Sequence, residues 1–150
     1  MIRMLTALAC LAVLSAPAAS AEQADALLPL HQFVEAMNKG DLKAAFAACG
    51  DDMSIIDNVA PYGWSGQGAC EKWADAQQAD STKKGITDVV FEIGEATRFE
   101  LSDGNAYAVL PAGYTFSEKG KPGRVQGTLT AALRKGPTGW HMTGFAFAER

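Results

Sequence analysis

The first part of the chain carries its apolar residues with a helical period. Between Ala24 and Lys39 they recur three and four positions apart, which predicts an amphipathic helix whose apolar stripe is Leu27, Leu30, Val34 and Met37. Asp41 follows a glycine and predicts the N-cap of a second, short helix that ends at Gly50. Ser65 is the candidate cap of a third helix. The pattern therefore predicts three helices in the N-terminal half.

From Val89 onward the pattern changes to the two-residue period of β-strands. Apolar and polar positions alternate in runs that turn sequences separate, among them Asp103-Gly104 and Gly136-Pro137-Thr138-Gly139. A shorter β-type run from Met53 to Asp57 lies between the second and third helices. Helices followed by an antiparallel series of strands predict an α+β fold.

The last predicted strand, Trp140 to Phe147, is apolar on both of its faces. Unbroken alternation puts Met142 on one face and Phe145 on the other. Since an antiparallel sheet ordinarily keeps one polar face toward water, we expect both faces of this strand to be covered. The helices would cover one face, and a second copy of the chain would cover the other in a homodimer formed through the sheet.

The first 21 residues have the pattern of a secretory signal peptide. Arg3 supplies the positive start, Leu5 to Leu14 forms an apolar run, and Ala19-Ser20-Ala21 is a small-residue cleavage site. The run is too short to cross a bilayer, and an uncleaved anchor helix is the alternative. We expect residues 1–21 to be removed, leaving a domain of residues 22–150 without a membrane segment, periplasmic or secreted.

Composition and charge are those of one globular domain. The chain has 150 residues, of which 48% are hydrophobic and 20% charged, and its formal net charge is −4. This length fits a single domain. General nucleic-acid binders need a basic face to displace counterions from phosphates, so this acidic chain predicts no nucleic-acid partner.

Two cysteines, Cys49 and Cys70, remain after the expected cleavage. In an oxidising compartment an even pair favours a disulfide, which here would close a loop of about twenty residues and stabilise the fold by ~3 kcal/mol. Two buried free thiols are the alternative. With only two histidines and this pair, we expect no metal site. The sequence also has no glycine-rich phosphate loop, and we expect no cofactor.

Four stretches in this order resemble the SnoaL-like and ketosteroid-isomerase-like group of the NTF2-like superfamily: Phe33 to Leu42, Met53 to Asp57, Trp64 to Gly66 and Gly139 to Thr143. The pattern from Ile55 to Gly66 looks most like small exported bacterial members without an assigned activity. The resemblance implies three N-terminal helices packed on a curved antiparallel β-sheet, a cystatin-like cone with an apolar cavity inside. The superfamily includes isomerases, dehydratases, cyclases, binding proteins and assembly modules, so function must be argued from the site.

Asp57 is the leading candidate for a catalytic residue. The resemblance puts it at the position of the general-base aspartate of ketosteroid isomerases, whereas a bond to backbone N–H groups of the following loop is the alternative. The isomerases' other two groups are not kept, because their tyrosine aligns with Phe33 and their aspartic acid falls near Thr130. We therefore reject steroid isomerisation. His141 on the last strand, or His31 on the first helix, is the candidate acid–base partner, unless each is merely structural or solvent-facing.

Aromatic side chains are the candidate walls of a ligand pocket. Rings with a few polar tips are the usual lining of a small-molecule site, although aromatic residues on strands are often core. Together with Asp57, the candidates are Tyr62, Trp64, Trp73, Tyr107, Tyr114 and Phe145.

Three functions remain open at this point. The first is the binding of a small apolar or aromatic molecule in the cone cavity. The second is a cofactor-independent lyase or isomerase that uses Asp57 as its base. The third is a dimerising structural module whose interior is solid. An open cavity faced by Asp57 would separate them, and strand register decides which face Asp57 occupies.

Overall fold

The computed structural model describes residues 16–150, which form three helices and seven strands. The helices are α1 (Ala16–Lys39), α2 (Leu42–Ala47) and α3 (Ala69–Lys84). The strands are β1 (Cys49–Ile56), β2 (Gly63–Ser65), β3 (Ile86–Ile93), β4 (Arg98–Ser102), β5 (Asn105–Glu118), β6 (Lys121–Gly136) and β7 (Gly139–Glu149). The predicted α+β fold with three helices is confirmed.

Most of the expected signal peptide lies outside the described residues. The part that is described, residues 16–21, belongs to the first turns of α1. Within the described range, none of the helices combines the length and apolarity that a bilayer crossing requires.

All seven strands belong to one sheet. Its order is β2-β1-β7-β6-β5-β3, and β4 pairs with β5 beside β3. Neighbouring strands are antiparallel except for β1 and β7, which run parallel. Because β1 is the first strand of the chain and β7 the last, the pairing of these two strands joins the N-terminal part of the sheet to its C-terminal part.

The unbroken alternation predicted for the last strand is wrong, because β7 contains a bulge. Gly144 pairs with Ala132 while Met142 pairs with Leu133, so Thr143 is an extra residue on β7. Met142 and Phe145 therefore both face the helices, where they are 0% and 7% exposed. Such a bulge bends the strand and increases its twist, which helps the sheet wrap around α1 and α3.

Directly paired residues form the floor of the core on the inner face of the sheet. Ile55, Phe145, Ala131 and Ala108 are cross-strand neighbours in that order, and all are buried. Phe145 packs edge-on against the Trp73 ring of α3, with the ring centroids 5.3 Å apart. The inner face of the sheet is thus held by aliphatic and aromatic contacts to the helices, a large hydrophobic contribution to stability.

Of the two N-caps predicted from the sequence, that of α2 is confirmed and that of α3 is wrong. The Asp41 side chain accepts a hydrogen bond from the backbone N–H of Ala44 at 3.0 Å and caps α2, as predicted. Ser65 does not cap α3. It is the last residue of β2 and pairs with Ser54 of β1. The chain instead turns through Gly66 and Gly68, both with positive φ, and α3 begins at Ala69 without a side-chain cap.

A disulfide joins Cys49 at the start of β1 to Cys70 in the first turn of α3. The two Cα atoms are 6.7 Å apart, and the residues are 21 positions apart in the chain. The bond attaches α3 covalently to the sheet at the end where its side-chain cap is missing.

Candidate functional site

A cavity of about 750 Å³ lies between the inner face of the sheet and the helices α1 and α3. Its apolar wall is formed by side chains of α1, α3 and the sheet, including Leu30, Phe33, Val34, Met37, Trp73, Leu129, Phe145 and Phe147. The interior of the cone is therefore not solid, and the structure lacks the filled interior that a purely structural module was expected to have.

Asp57 follows β1 directly and faces this cavity. It is 7% exposed, and its carboxylate accepts three hydrogen bonds. The Trp73 indole donates to Oδ2 at 2.8 Å, the Gln77 amide to Oδ2 at 2.9 Å, and the backbone N–H of Asn58 to Oδ1 at 2.6 Å. A carboxylate has about four lone-pair positions, so only one on Oδ1 is left for a ligand. Asp57 is thus a fixed acceptor with one open position.

Helix α3 determines where the two side-chain donors lie. Trp73 and Gln77 are four residues apart and so occupy the same face of the helix. Cys70 precedes Trp73 by about one turn, and its disulfide to Cys49 fixes this part of the helix to β1. Gln77 was not among the site residues predicted from the sequence. The signal for it was the spacing of four from a predicted pocket tryptophan.

A second carboxylate, Glu149, lies at the mouth of the cavity, near the end of β7. Its Oε1 accepts hydrogen bonds from the Asn58 side-chain amide and from the Tyr114 hydroxyl, the latter at 3.3 Å. Asn58 therefore connects the two carboxylates, through its backbone to Asp57 and through its side chain to Glu149. Asn58 and Glu149 were not predicted from the sequence either, since their proximity depends on the parallel pairing of β1 with β7.

Tyr114 is half-buried on β5 and keeps its proton at neutral pH. Burial, followed by the negative charge of Glu149, raises the pKa of Tyr114 from 10.0 to about 12. The hydroxyl therefore stays protonated at neutral pH and donates to Glu149. Its ring packs between Phe91 and Phe147, with centroid distances of 6.1 Å and 6.3 Å.

The structure does not bring either histidine to Asp57. Residue 141 pairs with Arg134 near the far end of β7, whereas the end of β1 pairs with Ala146. Five residue steps along β7 separate His141 from Ala146, the partner of Ile56, so Asp57 lies at least about 15 Å from His141 at ~3.3 Å per residue. His31 is exposed on α1 and is not part of the cavity wall. The expected acid–base pair of Asp57 with a histidine is therefore absent from the described residues.

The six predicted aromatic residues divide evenly. Trp73, Tyr114 and Phe145 line the cavity. Tyr62 is 62% exposed in the turn before β2, and Trp64 packs into the core on β2, the edge strand. Tyr107 is 40% exposed on the outer face of the sheet, under the guanidinium of Arg98. These last three residues are not part of the cavity wall.

The two positions compared with the isomerases carry no oxyanion donor. Phe33 lines the cavity with a ring that cannot donate a hydrogen bond. Thr130 pairs with Ala146 and lies on the outer face, because its neighbour Leu129 faces the cavity. Within the described range there is also no cluster of three or more histidine, cysteine, aspartate or glutamate side chains suited to a metal ion.

The curved sheet, the helices packed on its inner face and the open cavity between them define the protein as an NTF2-like α+β cone. The family model of the SnoaL-like domain matches residues 29–145, and the chain belongs to this family. Among curated proteins, none matches the chain in sequence.

Solved structures share the fold at low sequence identity. The chain is similar to a ketosteroid isomerase-like protein from Erwinia carotovora atroseptica SCRI1043 (TM-score 0.64, 21% identity, 85% of this chain and 95% of that one). It is similar to an NTF2-like protein with a cystatin-like fold from Novosphingobium aromaticivorans (TM-score 0.71, 17% identity, 95% and 92%). It is also similar to a hexachlorocyclohexane dehydrochlorinase (LinA) Type2 (TM-score 0.72, 9% identity, 88% and 87%). At these identities the likeness establishes the architecture and not the activity.

Proposed function

We propose that this protein binds a small, largely apolar or aromatic molecule in the cavity of the cone. The observation that carries the proposal is the open cavity of about 750 Å³ with a buried, oriented carboxylate in its wall. Small-molecule sites have volumes of roughly 300–1,000 Å³ and combine apolar walls with a few fixed polar groups. The cavity fits that description in both respects.

The cavity wall supports binding through the hydrophobic effect. Side chains such as Phe33, Val34 and Leu129 present carbon atoms to the cavity, and a ligand that covers them gains about 25 cal/mol for each Å² of apolar surface removed from water. The Asp57 carboxylate is already held in place by Trp73 and Gln77, so a ligand need not order it. A preorganised acceptor in an apolar wall selects for orientation as well as for size.

The alternative, a lyase or isomerase with Asp57 as its base, has less support. A general base needs a lone pair that faces the substrate, and a lyase or isomerase also needs groups that stabilise the charge developing on the substrate or protonate it. Asp57 has one open lone-pair position, and neither histidine lies within hydrogen-bond distance of it. A binding role requires only the acceptor.

A cavity-filling variant tests the proposal directly. Val34→Trp adds a large side chain to the cavity wall, whereas Val90→Trp makes the same change at an exposed position outside it. The neutral probes are Nile red, followed by fluorescence, and naphthylmethanol, followed by calorimetry. We expect the wild type and Val90→Trp to bind both probes and Val34→Trp to bind neither. Failure of the wild type to bind either probe, or equal binding by both variants, would contradict the proposal.

We further propose that the protein acts after export, in the periplasm or outside the cell. The signal-like sequence of residues 1–21 and the pairing of Cys49 with Cys70 support this. Mass spectrometry of the protein from a cell envelope or medium fraction should find Glu22 as the first residue. An intact N-terminus on protein from the cytoplasm would contradict it.

A homodimer through the outer face of the sheet is a further proposal. Ile56, Ala146, Thr130 and Val109 are direct cross-strand neighbours on that face, and Ile56 is 62% exposed. This row is short-chained and largely apolar, a surface that a second copy could cover. Sedimentation equilibrium should find a dimer that Ile56→Lys dissociates. A wild-type monomer would exclude it.

A further inference from the structure

We infer that the cavity selects a positively charged ligand, an organic ammonium ion with an apolar or aromatic body. This inference rests on the proposed binding function and adds the chemical class of the ligand. Its starting point is the charge of the cavity wall. Six acidic residues line the cavity, namely Asp57, Asp75, Asp80, Asp88, Glu92 and Glu149, and the basic residue among the lining is Lys84.

Two of these acidic groups already have a cationic partner. The ammonium of Lys84 lies 2.7 Å from the Asp80 carboxylate, and the guanidinium of Arg124 lies 2.6 Å from Glu92. Both pairs are partly exposed. They leave the lining with an excess of negative charge that its own basic residues do not neutralise.

Asp57 and Glu149 have only neutral partners among the described residues. Their hydrogen-bond donors are an indole, two side-chain amides, a phenol and a backbone N–H. None of the ion pairs formed in the described range includes either residue. Asn58 connects these carboxylates, so two negative charges without an ion-pair partner, one buried and one exposed, share one side of the cavity.

A cationic ligand compensates this arrangement, whereas neutral or anionic ligands do not. Asp57 is buried, and removing its carboxylate from water costs free energy that a neutral hydrogen-bond network recovers only in part. Attraction to a cation grows as the surroundings become less polar, and an anion would meet repulsion from both carboxylates. Hydrogen bonds between an ammonium and a carboxylate are also about twice as strong as neutral ones.

The open acceptor positions and the nearby rings are suited to an ammonium group. Glu149 Oε1 accepts both of its hydrogen bonds, so Oε2 is open, and Asp57 keeps one position on Oδ1. The rings of Phe91, Tyr114 and Phe147 form a continuous aromatic cluster beside Glu149. Aromatic faces attract cations within about 6 Å of the ring centre. The apolar body of the ligand would then lie deeper, against Phe33 and Leu129.

Three probes that share a ring system but differ in charge test the inference. Naphthylmethylammonium, naphthylmethanol and naphthoate are titrated by calorimetry into the full chain at neutral pH and low salt. We expect the ammonium to bind about tenfold more tightly than the alcohol, as one charge-assisted hydrogen bond allows, and naphthoate to bind most weakly. Val34→Trp should block all three probes, since the site is the cavity.

Substitution of the carboxylates assigns the preference to them. Glu149→Gln keeps the shape of an exposed side chain and should lower the affinity for the ammonium more than the affinity for naphthylmethanol, which reduces the ammonium's advantage. Asp57→Asn should reduce the same advantage. Glu95→Gln makes the identical charge change at an exposed position outside the cavity wall and should change none of the affinities.

The outcomes separate the two proposals. If naphthylmethanol binds the wild type as tightly as the ammonium does, the charge inference is wrong and the binding function stands. An ammonium preference that survives both carboxylate substitutions also overturns the inference. If none of the three probes binds, the charge inference and the binding function both fail.

Discussion

The indole N–H of Trp73 donates a hydrogen bond to Oδ2 of Asp57 across 2.8 Å in the wall of the cavity. This contact joins α3 to the loop after β1 at a point where both side chains are more than nine-tenths buried. It orients the carboxylate that the ligand would meet. It also makes the cavity depend on the position of α3, which the disulfide helps to fix.

The buried carboxylate should be sensitive to a change of one atom. In Asp57→Asn an NH₂ group replaces one carboxylate oxygen and faces a donor, either Asn58 N–H or the pair from Trp73 and Gln77. A buried unsatisfied donor costs about 1–3 kcal/mol, and we expect that loss in the free energy of unfolding. Urea denaturation measures it. Asp51→Asn, at an exposed position, should stay within about 0.5 kcal/mol of the wild type, and equal effects of the two substitutions would contradict the prediction.

The disulfide should contribute stability and also position α3. Cys49→Ser with Cys70→Ser removes the bond that closes a 21-residue separation, and we expect a loss of about 3 kcal/mol in the free energy of unfolding. Because Cys70 is one turn from Trp73, affinity for naphthylmethanol should fall as well. Reduction of the wild type with dithiothreitol should have the same effects and should leave the double variant unchanged. A reductant-insensitive wild type would contradict this account.

The Tyr114 hydroxyl predicts a pH dependence above the neutral range. Its pKa is about 12 in the folded protein against 10.0 for an unperturbed tyrosine, so between these values the native state holds a proton that the unfolded state releases. The associated stability is present below pH 10 and is lost as pH rises toward 12. Tyrosinate absorbance is followed while the pH is raised. The absorbance change near pH 12 that the wild type shows should be missing in Tyr114→Phe.

Glu149 provides the control for this titration. Its negative charge is the second cause of the raised pKa of Tyr114, after burial, so Glu149→Gln should move the ionisation of Tyr114 to lower pH without abolishing the shift. An unchanged titration in Glu149→Gln would show that the two side chains do not interact as described.

Two leucines on the same face of β6 should differ in their response to truncation. Leu133 is 1% exposed in the packed core, and Leu133→Ala should cost about 2–5 kcal/mol because it leaves a new cavity. Leu129 already borders the open cavity, so Leu129→Ala enlarges an existing space. We expect its cost to be smaller by at least about 1 kcal/mol. Thermal unfolding of the two variants measures the difference, and a larger loss in Leu129→Ala would contradict the position of the cavity.

Features that depend on neighbours in the sequence could be predicted from it. The capping of α2 by Asp41 needs only a residue three positions ahead, and the strands of β5 and β6 follow from their alternation and the turn between them. The helical face that carries Trp73 is also a local property. These elements were sufficient to predict the α+β fold, whereas the cone was implied by the resemblance to the NTF2-like superfamily.

Features that depend on distant pairing could not be predicted in the same way. In the parallel pairing of β1 with β7, His141 lies beside the start of β1, whereas Asp57 directly follows the end of β1. No local sequence pattern encodes the distance between these two residues. The extra residue Thr143 reverses the expected face of part of β7. Glu149 reaches Asn58 only because of that same pairing, so the second carboxylate of the cavity became visible only in the fold.

The most direct test of the account follows the three tryptophan indole N–H resonances during a titration with naphthylmethanol. Trp73 lines the cavity and is bonded to Asp57, whereas Trp64 and Trp140 lie outside the cavity wall. The account predicts a saturable shift of the Trp73 resonance and small or no shifts of the other two. In Val34→Trp, which adds a fourth indole, these three resonances should not shift. A ligand that moves Trp64 or Trp140 and leaves Trp73 unchanged would contradict the claim that the cone cavity is the binding site.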